Sequence, residues 1–171
     1  MWALKAMRRG IAIGVVAGLL ATSHDARAAS VNRTLTGNIT IVALAKLAIS
    51  PSSLSFSDSN PDTVPSLPAS GGALTVTAKG LTTLGSTITL TVLANDDFRS
   101  GVDTIGIAAL TWSAAGSGFV GGTMSKTVAQ TVGSWVNSGD RTGTQSYALA
   151  NSWSYATGTY TMTLTYTLTA P

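Results

Sequence analysis

The chain has 171 residues, with ten Lys or Arg, seven Asp or Glu, one His and no Cys. Only 10% of the residues are charged, against roughly 25% in an ordinary soluble domain. Disulfide frameworks, thiolate zinc sites and cysteine nucleophiles are therefore excluded at the outset.

Residues 1–28 read as a secretory signal peptide. Lys5, Arg8 and Arg9 give a positive start, Gly10 to Ala21 is an uncharged and mostly apolar run, and Ala26-Arg27-Ala28 supplies a small-residue cleavage site. The apolar run is too short to span a bilayer comfortably. Cleavage leaves 143 residues with six basic side chains (Arg33, Lys46, Lys79, Arg99, Lys126, Arg141) and six Asp, so the mature net charge is zero and no His, Cys or Glu remains. The basic balance belongs mainly to the signal peptide, and neither nucleic acid nor an anionic membrane surface is implied as a partner. The expectation is a secreted chain, extracellular or at the cell surface, with no membrane insertion after cleavage.

Residues 29–43 open the mature chain. Leu35, Gly37, Ile39, Ile41 and Ala43 fall on alternate positions, and the series runs on through Ala45, Leu47 and Ile49. The simplest reading is an ordinary first strand, a kink near Ala43–Lys46 and a second strand. The sharper reading is that residues 30–42 form a donor strand that completes a neighbouring subunit's sheet, with Gly37 allowing close backbone approach.

Residues 44–171 read as one β-domain. Leu74, Val76 and Ala78 alternate with threonines, as do Ile88, Leu90 and Val92. The closing run sets Tyr160, Met162, Leu164, Tyr166 and Leu168 against five threonines. Period two with one apolar face marks half-buried strands. Weaker strands are predicted near 105–112, 124–132 and 145–153. Turn-formers separate them at 58–72, 95–103, 114–122, 137–143 and 157–158. The fold class is all-β: a single antiparallel, Ig-like β-sandwich of roughly seven to nine strands.

The order Leu47-Ala-Ile49-Ser-Pro51 … Ile88-Thr-Leu90-Thr-Val92 … Asp97-Phe98 … Gly116-Ser-Gly118 … Tyr160 through Ala170-Pro171 resembles the WxL domain of bacterial surface proteins. The defining Trp positions of that family are Ile88 and Tyr166 here, beside Leu90 and Leu168. The resemblance implies an extracellular β-rich domain held non-covalently on the cell wall. Pilin-like and spore-coat-type sandwiches, which also close on a Gly-x-Tyr strand such as Gly158-Thr-Tyr160, are a lesser likeness that points to the same compartment.

Catalysis is not expected. Nucleophilic triads need a base such as imidazole and glycosidases need paired carboxylates, whereas this chain offers only turn-borne Asp. Asp58, Asn60 and Asp62 place oxygen ligands at alternate positions, as calcium loops do. Thr63 and Ala69, however, stand where such a loop needs Gly and Glu, so no cofactor is expected beyond a residual case for calcium. Asp96, Asp97 and Asp103 form a second cluster of the same kind. Trp135, Trp153 and Tyr155 are the candidates for an exposed sugar-stacking platform. The leading expectation is a non-catalytic cell-envelope protein whose partner is a wall polymer or another surface protein. A filament subunit that self-assembles by strand addition is the first alternative, and a glycan-binding module the second.

Overall fold

The computed structural model describes residues 31–171; the predicted signal peptide lies outside them. Eleven strands make up the domain: β1 (Leu44–Ser50), β2 (Ser66–Pro68), β3 (Leu74–Leu81), β4 (Thr87–Ala94), β5 (Phe98–Ser100), β6 (Asp103–Ile105), β7 (Leu110–Ala115), β8 (Gly122–Thr123), β9 (Gln130–Val136), β10 (Gly139–Ala150) and β11 (Leu164–Thr169). One sheet runs β1-β3-β10-β7-β8, with β2 continuing the β3 side of β10; a second runs β11-β4-β9; β5 and β6 form a small hairpin. Every pairing is antiparallel. The inward side chains of the two larger sheets merge into one core, so the domain is an antiparallel β-sandwich.

Alternation explains which face is buried. Leu74, Val76 and Ala78 of β3, Ile88, Leu90, Val92 and Ala94 of β4, and Tyr147 and Leu149 of β10 all turn inward and are buried. The intervening threonines face out, and Thr77 and Thr142 meet across β3 and β10 at 3.3 Å. On the β7–β8–β9 side the sandwich is sealed by aromatics. Trp112 Nε1 donates to the Val120 carbonyl (2.9 Å), Trp135 Nε1 donates to that of Ser117 (2.8 Å), and Phe119 meets Trp135 edge-on with centroids 5.0 Å apart. Glycines make room for these rings. A Cβ on Gly133 would lie 2.4 Å from the Trp135 ring, and one on Gly143 would lie 2.3 Å from Phe119.

The sheets are joined at one end by two short crossings, residues 82–86 between β3 and β4 and residues 137–138 between β9 and β10. Asn137 sits at φ 70°, a left-handed conformation that Asn tolerates. Its Oδ1 accepts the Gly85 N–H (2.6 Å) and its own N–H donates to Ser86 O (2.9 Å). Ser138 Oγ accepts the Thr82 N–H and donates to Thr82 O. The two crossings are thus stapled to each other.

Several elements differ from those read in the sequence. Residues 31–43 carry no strand, so there is no pair of N-terminal strands; β1 begins at Leu44, where its partner β3 runs out at Leu81. The predicted turn at 137–143 is mostly strand, because Gly139 and Gly143 are needed beside Arg141 and Phe119 rather than for turning. The closing strand starts at Leu164 rather than Tyr160, and residues before it hold only a single bridge, Arg99 to Thr161. Eleven strands replace the expected seven to nine because β2, β5, β6 and β8 are pieces of two or three residues.

Candidate functional site

Two features stand out on the sandwich. The first is its β1/β11 side. β1 pairs only with β3, and β11 only with β4, among the described residues; the two edge strands approach each other from opposite sheets. Their inward residues, Leu47 and Ile49 of β1 and Leu164, Tyr166 and Leu168 of β11, pack on the core but are only half-buried. Core side chains elsewhere, such as Val76, Leu90 and Val92, are fully enclosed. Along this side the inward residues are incompletely covered, and each of the two edge strands has a strand partner on one side only among the described residues.

Beneath it lies a polar chain. Tyr166 donates its hydroxyl proton to Gln145 Oε1 at 2.5 Å, so the 2.5 Å contact between the two phenols must be donated by Tyr147. Burial, the largest cause, pushes the Tyr147 phenol above its ordinary value, with Tyr166 adding to the effect. Burial likewise raises Tyr166, opposed by the Tyr147 hydrogen bond. Gln145 is fully enclosed, and its Nε2 amino group finds no hydrogen-bond partner among the described residues.

The residues singled out at the N-terminus are the counterpart of this side. Every residue from Val31 to Lys46 is exposed, including Leu35, Ile39 and Ile41, and Gly37 has nothing within 4 Å of an added Cβ. Ile88 and Leu90 are buried in the central strand of the smaller sheet. Tyr166 and Leu168 lie beside them on β11, with Leu168 opposite Leu90 and Tyr166 opposite Val92. All four positions therefore serve packing.

The second feature is an open cleft at one end, about 880 Å³ in volume. Trp153, Tyr155 and Tyr160 line it together with Asp58, Asn60 and Asn151, so two groups of candidates kept apart by the sequence meet here. Asn151 builds the junction. Its Nδ2 donates to the carbonyls of Ser59 (2.8 Å) and Val64 (3.1 Å), and its N–H donates to Pro65 O. Trp153 is 70% exposed, with Nε1 donating to Asp62 Oδ1 at 3.0 Å. Trp135 does not belong with it. At 7% exposure that ring is core: it stands opposite the inward-facing Ile88 of β4, past an irregularity in the pairing that lets both Val132 and Trp135 face in. The cleft was not legible as a site, since its walls lie about 90 residues apart in the chain.

The calcium-like spacing has a different use. Asn60 Oδ1 accepts the Asp62 N–H (2.9 Å), closing an Asx turn, while Asp58 Oδ1 accepts from Ser59 N and Asp62 holds Trp153. Asp96 and Asp97 are likewise engaged. Asp96 pairs with Arg99 at 2.6 Å, and Asp97 pairs with Lys126 at 2.5 Å while accepting the Ile107 N–H. The Arg99 hydrogen bond holds the Asp96 carboxyl at about 2, and the Lys126 bond lowers that of Asp97. Among the described residues no group of three or more His, Cys, Asp or Glu is placed to hold a metal, and no helix is long and apolar enough to cross a membrane.

Neither a protein-family model nor a curated protein matches the chain.

Proposed function

We propose that the protein is a non-catalytic subunit of an extracellular filament assembled by strand addition, in which residues 31–43 of one copy fill the β1/β11 side of the next. The observation that carries this reading is a complementary pair within one chain. Residues 31–43 have alternating apolar side chains and no partner strand, and the domain has an incompletely covered core between two edge strands. Fully extended, the segment reaches roughly 43 Å, ample for a ladder beside β11. Leu35, Ile39 and Ile41 share a face by period two and would contact Leu47, Ile49, Leu164, Tyr166 and Leu168, while main-chain groups pair with the open edge.

Strand addition takes precedence over anchorage to a wall polymer because Ile88, Leu90, Tyr166 and Leu168, which carry the WxL resemblance, are engaged in packing. Sedimentation and electron microscopy test the proposal. The mature chain polymerises, a chain lacking residues 29–43 stays monomeric, and a peptide of residues 29–43 binds the truncated chain. The same peptide with Ile39→Asp and Ile41→Asp does not bind. Polymerisation of the truncated chain, or failure of the unmodified peptide to bind it, rejects strand addition.

A further inference from the structure

The end cleft is separate from the edge strands, since no residue of β1 or β11 lines it. Its volume of about 880 Å³ lies within the roughly 300–1,000 Å³ of small-molecule sites. Two loops distant in sequence form its walls, and Asn151 fixes them to each other with three hydrogen bonds. Over these walls stands Trp153, an indole left 70% exposed although large aromatics bury most of their surface in folded domains. The bond to Asp62 holds the ring in place, so the exposed face is pre-set rather than free to fold onto the core.

The lining also defines the ligand's chemistry. Asp58 is the one charged residue on it, no Lys or Arg contributes, and no described residue forms an ion pair with Asp58. An anionic ligand would meet an uncompensated carboxylate there. A neutral, hydroxyl-rich ligand with an apolar face fits instead. Its C–H face would lie on Trp153, and its hydroxyls would find acceptors and donors at Asp58, Ser152 and Thr159.

We propose that this cleft is a binding site for a neutral oligosaccharide, with Trp153 as the stacking surface and Asp58 as a hydroxyl acceptor. Calorimetry and tryptophan emission on the mature full-length chain test it with four probes: chitotetraose, cellotetraose, maltotetraose and, as the anionic control, tetragalacturonate. At least one neutral tetrasaccharide gives saturable heat and a shift in emission, and tetragalacturonate gives none. Trp153→Ala weakens binding about tenfold, and Asp58→Ala also weakens it, while both variants keep the wild-type circular dichroism and still polymerise. Absence of saturable binding to all three neutral probes at millimolar concentration overturns the proposal, as does equal affinity of the Trp153→Ala variant or preference for tetragalacturonate. Sugar binding by the chain lacking residues 29–43 keeps this result separate from assembly.

Discussion

The two sides of the sandwich solve the same problem differently. On the β8/β9 side the gap between sheets is plugged by Trp112, Phe119 and Trp135, whose indole N–H groups are bonded to loop carbonyls and whose rings are seated against glycines. On the β1/β11 side the inward residues are aliphatic or a tyrosine, remain half-buried, and stop short of closure. Nothing in composition forces the difference, since both sides carry apolar alternation. The contrast is that one side is closed by the chain's own aromatics, whereas on the other the inward residues stay half-covered, which is where the proposed strand addition would act.

Trp135→Ala is the largest test of this contrast. Removing a buried indole from the sealed side costs about 3–5 kcal/mol in urea unfolding. Leu168→Ala on the open side costs roughly half as much, because the side chain is already partly solvated. Equal losses would dissolve the distinction between the two sides.

Adding the peptide of residues 29–43 to the truncated chain sharpens the comparison. At about a hundredfold excess over its dissociation constant it stabilises the fold by about 2.7 kcal/mol. It also raises the cost of Leu168→Ala, since the leucine is then enclosed, while the cost of Trp135→Ala stays unchanged.

Tyr166→Phe probes the polar chain under the open side. It leaves Gln145 Oε1 and the Tyr147 hydroxyl without their partner, a loss of about 2 kcal/mol in denaturant melts. Both phenols are raised in the folded state. The stability they contribute is therefore complete below the ordinary value of 10.0 and declines as pH climbs past it, when the unfolded chain ionises first. Thermal melts on the alkaline side show a shallower decline in the Tyr166→Phe variant.

The smallest effect lies in the network of Asp96, Asp97, Arg99 and Lys126, where the chain leaving β4 meets the β8–β9 connection. The two carboxyls are lowered from 3.8, Asp96 to about 2. Their contribution is present above 3.8 and fades as pH falls through the folded values, when the unfolded chain takes up protons first. Melts between about pH 5 and pH 2 show the fade, and Lys126→Ala reduces it. The pairs are exposed, so the change is modest.

Much of the fold could be read directly from the sequence. Strands β3, β4 and β11 were marked by threonine alternating with aliphatics, and that pattern also assigned their inward faces. It failed where a residue type had two uses. Gly139 and Gly143 resemble turn-formers but admit neighbouring side chains within a twelve-residue strand. Trp135, in a stretch rich in Gly, Ser and Asn, looked exposed, yet a bulge in β9 lets it face in opposite Ile88 although Val132 faces in too. Tyr160 and Met162 continue the alternation of β11 without a partner to pair with, because the chain there meets Arg99 at a single bridge. The apolar alternation of residues 31–43 was legible by period, but that these residues carry no strand within the chain was not. The cleft was not, because it depends on Asn151 reaching back to Ser59 and Val64.

The stapled crossings at Asn137 and Ser138 bear on how the domain answers tension. In the proposed filament, force would enter one sheet through β1 and leave through the strand held against β11 in the other. Two of the chain crossings that join these sheets sit side by side and are tied by Asn137 to Gly85 and Ser86 and by Ser138 to Thr82. Pulling then loads a cross-braced corner in which these two connections are tied to each other and share the load.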